Sequence, residues 1–320
     1  MIRVAVLASA VLAHPLAAQA QSWPSKPIRY IVPFAPGGTT DILGRLVGKG
    51  LSETLGQQVI VDNRPGQAGS LGAAELARAT ADGYTLGGGT ISSHAINVSL
   101  YGKLPYDPLR DFIPITMLAT QPNMLVIHSS LPAKNVKEFI ALGRARPGQL
   151  NFGSAGSGTS QHISGEMFKT MTGVQMQHVP YKGSGQMVPD LLAGYVQLSF
   201  ENIATAHPHT KTGKLRALAV TSSKRSFVAP EVPTMQEAGV AGYDISSWQA
   251  MFAPAGTPRD VASRLNVEVN KILRSAETQK RFTDLGLETG GGSPDDLAAV
   301  IRIDIPRLGK IVRESGARVD

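Results

Sequence analysis

The stretch Ile31-Val32-Pro33-Phe34-Ala35-Pro36-Gly37-Gly38-Thr39-Thr40-Asp41 runs from an apolar strand through a glycine-rich turn into the start of a helix. A second stretch, Leu150-Asn151-Phe152-Gly153-Ser154-Ala155-Gly156-Ser157-Gly158-Thr159-Ser160-Gln161-His162, repeats the plan. Such a turn leaves backbone N–H groups unpaired at the positive end of a helix, where an anion is held without any cationic side chain. The two turns lie well over a hundred residues apart. They predict two lobes gripping one small anion between them, the layout of a binder.

The surrounding pattern supports an α/β chain. Ile28 to Phe34 reads as a continuous apolar strand of the buried type. Ile42, Leu43, Leu46, Val47, Leu51 and Leu55 form one helical stripe behind it. Strands are expected at Val59 to Val61, Thr85 to Gly88, Asn123 to Ile127, Asn151 to Gly153, Met176 to Val179 and Val196 to Phe200. Helices are expected between them, at Ser70 to Ala79, Asn135 to Arg146, Gln161 to Thr172 and Gln186 to Leu192. This alternation predicts largely parallel sheets. The last third reads as mostly helix after the apolar segment Trp248 to Phe252, with Pro306 expected to bend or divide the final stretch. With no flexible linker, the chain must cross between lobes more than once, near Thr120 to Leu125 and Ser246 to Met251.

Composition narrows the class. The 320 residues are long for one core and ample for two α/β domains, and 17% charged with 42% hydrophobic residues describes a folded protein. The net charge of +7 is carried by scattered Lys and Arg with few aromatics, which argues against nucleic acid. Arg3, the apolar run Val4 to Leu16 and Ala18-Gln19-Ala20 make residues 1–20 a signal peptide, and its removal leaves +6. That apolar run is too short to span a bilayer. The chain contains no Cys, so disulfides, thiolate metal sites and cysteine nucleophiles are excluded. No metal or other cofactor is expected.

With these features in place, the mature chain resembles a known family: the TctC-like periplasmic substrate-binding proteins of the tripartite tricarboxylate transporter type, often called Bug proteins. The resemblance is carried by Pro33-Phe34-Ala35-Pro36-Gly37-Gly38 with Asp41, Val61-Asp62-Asn63-Arg64-Pro65-Gly66 and Asp82-Gly83-Tyr84-Thr85-Leu86. His94-Ala95-Ile96-Asn97, Leu104-Pro105-Tyr106-Asp107, Gly153-Ser154-Ala155-Gly156-Ser157-Gly158 and Val179-Pro180-Tyr181-Lys182-Gly183 continue it. Val232-Pro233-Thr234 and Ala253-Pro254-Ala255-Gly256-Thr257-Pro258 complete it. The resemblance implies a two-lobed, type II periplasmic-binding-protein (Venus-flytrap) fold with two hinge-crossing strands. One lobe would comprise 21–122 and 248–320, the other 123–247. It further implies a periplasmic monomer that captures a small organic carboxylate, held by the amides of the two turns, often through waters. The partner it implies is a membrane permease of the tripartite tricarboxylate transporter type. A sensory protein would share the fold.

The expected ligand-binding residues are Gly37, Gly38, Thr39, Thr40 and Asp41 in the first turn, with Thr90 and Ser92 beyond the strand at Thr85. In the second turn they are Ser154, Gly156, Ser157, Gly158, Thr159 and Ser160, followed by His162, Tyr181 and Asn202. Asp41 has a competing role at the helix N-terminus, because two carboxylates repel. His162 has one as a structural hydrogen-bond partner. Lys182 reads equally as a ligand partner or a solvated cation. The family usually has Asp-Asn where this chain has Glu201-Asn202, a departure at a strand end facing the cleft. Enzyme readings are weaker. Ala68-Gly69-Ser70-Leu71-Gly72 only approximates a nucleophile elbow, and His207-Pro208-His209 reads as a loop rather than a metal site.

Overall fold

A computed structural model describes residues 23–319; the signal segment read at 1–20 lies outside them. In chain order the elements are β1 (Ile28–Val32), α1 (Thr39–Leu55), β2 (Val59–Asn63), α2 (Ser70–Ala77), β3 (Thr85–Thr90), α3 (Asn97–Leu100) and β4 (Phe112–His128). Then come α4 (Val136–Ala145), β5 (Leu150–Ser154), α5 (Ser160–Thr172), β6 (Met176–Pro180), α6 (Ser184–Ala193), β7 (Leu198–Asn202), α7 (Ile203–Lys211) and β8 (Leu215–Val220). β9 (Ser246–Pro254), α8 (Arg259–Arg274), α9 (Ala276–Leu285), β10 (Glu288–Gly291) and α10 (Pro294–Ser315) close the chain.

Among the described strands, parallel strand-to-strand pairing falls in two flanking triplets, β2-β1-β3 and β6-β5-β7, with one isolated parallel bridge between Val220 and Thr234. The centre is antiparallel: β9 runs against β3 and β4, and β4 runs against β7, β8 and β10. The expectation of largely parallel sheets therefore holds for the flanks alone. The central strand β4 is 17 residues long. Its first part pairs with β9, from Phe112 to Pro122, and its second with β7 and β8, from Asn123 to His128. One strand thus serves both halves. β9 starts beside the second half, where Ile245 N donates to Thr221 O at 3.1 Å, and ends deep in the first.

One buried cluster lies mainly in the first half, and a larger one spans both halves. Leu43, Val47 and Leu51 of α1 meet Val261, Leu265 and Val269 of α8 around β1. Phe139, Phe152, Phe168 and Phe200 fill the second half, and Leu297, Ile301, Leu308 and Val312 of α10 join that cluster. α10 also ties to α5 through Thr170 Oγ1, which donates to Ser315 O at 2.9 Å. Pro306 does not divide it. Its start is fixed by a capping box of Ser293 and Asp296, and its buried stripe carries it past the proline. His207-Pro208-His209 lies in α7 and not in a loop, held by the buried Ile203, Ala204, Ala206 and His207. Among the described residues no helix is long and apolar enough to cross a membrane.

One buried polar group sets a pH dependence. His94 is wholly buried, stacked on Phe252 with ring centroids 4.0 Å apart, and its Nε2 has no partner. The ring needs the space that Gly89 leaves, since a Cβ there would lie 2.5 Å from it. Burial lowers the His94 pKa from 6.5 to about 3. The unfolded chain therefore takes up this proton first, so stability is full above pH 6.5 and falls as the pH drops towards 3. Between pH 7 and 5 the loss from this one group is about 2 kcal/mol. His94→Phe should remove that component, measured as the difference between wild-type and variant unfolding curves at the two pH values. Parallel losses in both proteins would assign the pH dependence elsewhere.

Candidate functional site

The N-termini of α1 and α5 meet across a small cavity of about 20 Å³ that is partly open to the surface. The cavity is lined from the first half by Gly38, Thr39, Thr40, Thr90 and Ser92. Thr159, Ser160 and Asn202 line it from the second. All eight stand among the residues picked out by sequence. Gly38 and Thr159 are the N-caps of α1 and α5, both in extended backbone. Among the described residues no protein acceptor takes the N–H of Thr39, Thr40 or Ser160, as the first turn of a helix requires. The lining carries no charged side chain.

The remaining expected residues build the turns from behind. Gly37 N donates to Asp41 Oδ2 at 3.0 Å, and the same carboxylate receives Arg45 Nε at 3.0 Å and Asn63 Nδ2 at 2.9 Å. Burial works to raise the Asp41 pKa, but the hydrogen bonds from Arg45, the Gly37 N–H and Asn63 outweigh it and hold the carboxyl below its usual range. Asp41 is thus engaged with its own turn. Ser154 Oγ lies under the second turn, 2.6 Å from His178 Nε2, and accepts from Gly156 N at 3.1 Å. Gly158 N donates to His162 Nδ1 at 3.1 Å, so the imidazole braces the turn. Gly158 has φ +99°, and a Cβ there would lie 2.3 Å from Asn97 Oδ1. Ser157 O accepts from Tyr101 Oη at 2.7 Å.

Tyr181 is turned out of the cavity: its hydroxyl donates to Asp190 Oδ2 at 2.6 Å. Lys182 is exposed, and what it contributes is its carbonyl, which accepts from Ala35 N at 3.1 Å across the two halves. Ser70, the serine of the approximate elbow, is fully buried and accepts from Asn97 Nδ2 at 2.8 Å and Tyr106 Oη at 3.2 Å. No substrate reaches it.

Sequence reasoning missed Gln161, Ser184, Ser247 and Gln249, which also line the cavity. Ser247 and Gln249 were legible as polar residues at period two inside an apolar strand. Ser184 belongs to a third glycine-rich turn, Gly183-Ser184-Gly185, at the start of α6. Thr40 Oγ1 donates to Gln249 Oε1 at 2.9 Å, which leaves the Gln249 amide as a donor. Gly185 packs closest of all: a Cβ there would sit 1.8 Å from Pro36 O of the first turn.

Two α/β halves sharing central strands, with helix N-termini converging on a cavity between them, define a two-lobed solute receptor. The family described as tripartite tricarboxylate transporter family receptor matches residues 43–317. The chain belongs to this family, one of receptors and not of enzymes. It is 38% identical to the protein BugT of Bordetella pertussis over 314 residues, covering 98% of this chain and 96% of that one. Among solved structures, an R. palustris protein with adipate is 41% identical with a TM-score of 0.90, covering 93% of this chain and 100% of that one. MatC from Rhodopseudomonas palustris with bound malate is 33% identical with a TM-score of 0.87, covering 91% and 100%.

Proposed function

We propose that this chain is a periplasmic receptor that captures a small organic carboxylate between two lobes, 21–122 with 248–320 and 123–247. It acts as a monomer, exported by a signal peptide at residues 1–20, and delivers its ligand to a tripartite tricarboxylate-type permease. One observation carries the reading: unpaired N–H groups of Thr39, Thr40 and Ser160, from two helices in different halves, face one cavity free of charged side chains. A carboxylate there completes both helix N-termini at once. Relatives solved with adipate and malate support carboxylates as the ligand class. Gly38, Thr39, Thr40, Thr90, Ser92, Thr159, Ser160 and Asn202 form the contact surface in this reading. Gly37, Asp41, Ser154, Gly156, Ser157, Gly158 and His162 shape the turns.

A thermal-shift screen of the mature protein against mono-, di- and tricarboxylates tests it. A ligand at a hundred times its Kd should stabilise the fold by about 2.7 kcal/mol. A flat response from folded, ligand-stripped protein across the panel would overturn the carboxylate reading.

A further inference from the structure

The second-half wall of the cavity has a fixed hydrogen-bond polarity, and its source is one buried side chain. Glu201, on β7, is 0% exposed. Its Oε1 accepts from Thr205 Oγ1 at 2.7 Å, Ser184 Oγ and Asn202 N at 2.8 Å, and Gln161 Nε2 at 3.4 Å. Its Oε2 has no partner, and neither has Asn202 Oδ1, although Asn202 is 7% exposed and lines the cavity.

The polarity follows by counting hydrogens. A serine hydroxyl has one, and Ser184 gives it to Glu201, so towards the cavity Ser184 Oγ presents the lone pair that Gln161 does not use. The Gln161 amide nitrogen is directed at Ser184 and Glu201, both at 3.4 Å, which leaves its carbonyl as the group free to meet a ligand. Asn202 Nδ2 is directed at Thr39 Oγ1 at 3.5 Å, and its unpartnered Oδ1 adds a third acceptor. Donors at the helix N-termini thus face acceptors from Ser184, Gln161 and Asn202. A ligand with carboxylates alone satisfies the first set and leaves the second unmatched, and unmatched buried acceptors are penalised.

Resting on the carboxylate-receptor reading, we infer that the ligand also carries a hydrogen-bond donor on its carbon skeleton, an ammonium or a hydroxyl. Ser184, Gln161 and Asn202 receive it, and Glu201 is the positioning residue that keeps them acceptors. Burial raises the Glu201 pKa against the pull of its hydrogen bonds; Oε1 accepts in the carboxylate, and in the acid whose proton lies on Oε2, the oxygen with no partner, so in both forms the wall keeps its polarity.

Titration calorimetry with succinate, L-malate and L-aspartate, which share one skeleton, and with adipate and L-2-aminoadipate, decides it. A donor-bearing acid should bind at least about tenfold tighter than its unsubstituted parent. A preference for malate identifies a hydroxyl, and one for the amino acids an ammonium. The ratio of the two constants, which a general loss of structure does not move selectively, should collapse towards one in Ser184→Ala and Glu201→Leu. It should survive in Glu201→Gln, whose side-chain oxygen still accepts. Parents that bind as tightly as their substituted partners overturn this inference and leave the receptor reading standing. Failure of every acid to bind overturns both. A preference retained in Glu201→Leu removes the role assigned to Glu201, and if that variant does not fold, the wild-type ratio and Ser184→Ala still decide.

Discussion

Gly185→Ala should leave the unliganded protein at least as stable as the wild type and weaken carboxylate binding by about a hundredfold or more. The two effects have separate origins. Gly185 lies in the first turn of α6 with no positive φ, so alanine fits the helix and improves its propensity by up to about 1 kcal/mol. The obstacle is across the cleft. The added Cβ would sit 1.8 Å from Pro36 O and 3.4 Å from Gly37 Cα. Both are backbone atoms that no rotamer change can move aside. Closure therefore stops short, and the first turn no longer reaches a ligand held by the second. Losing two charge-assisted hydrogen bonds at roughly 1.5–3 kcal/mol each corresponds to a hundredfold or greater loss. Calorimetry and chemical denaturation on the same preparation read the two effects. Undiminished affinity would mean that the ligand-bound state does not bring α6 against the Pro36 turn.

Ser160→Pro should cost at least about tenfold in affinity relative to Ser160→Ala, with little change in helix stability. Ser160 is the first residue of α5, a position where proline is well tolerated because the missing N–H has no intrahelical partner. The preceding Thr159 already has φ −77° and ψ 161°, the extended backbone that proline demands of its neighbour. Alanine removes the hydroxyl, including its 3.4 Å contact with Asn123 Oδ1, but keeps the N–H. Proline removes both. The difference between the two variants isolates one backbone donor, a group that ordinary side-chain mutagenesis cannot reach. Equal affinities would show that the Ser160 N–H does not meet the ligand.

What the sequence made legible was local. Glycines followed by Thr or Ser before a helical stripe mark an N-terminus by backbone chemistry alone, so both turns and the lining residues Gly38, Thr39, Thr40, Thr159 and Ser160 could be read directly. What it concealed depended on partners distant in the chain. The first part of β4 carries Pro114 and bulges between Pro114 and Thr116 and between Met117 and Ala119, so its strand pattern is broken until β9 lies beside it. α7 contains Pro208 and is held by packing that no local propensity announces. The glycines ending β3 look like a break in a strand, whereas Gly89 makes room for the His94 ring. Tyr181 reads as a cleft residue at a strand end, but Asp190 one helix later takes its hydroxyl. Glu201 stood out by type; its role as the hub of a buried network required Ser184, Thr205 and Gln161 to be placed around it.

The sharing of β4 and β9 between the halves bears on the order in which the chain can fold as it is made. The parallel triplet β2-β1-β3 is complete in sequence by Thr90, yet β3 borders β9, and α1 packs on α8. Residues 246–274 are needed to finish a sheet begun at residue 28. A chain emerging N-terminus first therefore carries an open sheet edge and an uncovered helix face through most of its synthesis. Such long-range closure is slow, which keeps the nascent chain short of its final fold until nearly all of it is available. The export proposed for this chain requires a polypeptide that crosses a membrane before it folds, and a topology that withholds completion suits that route.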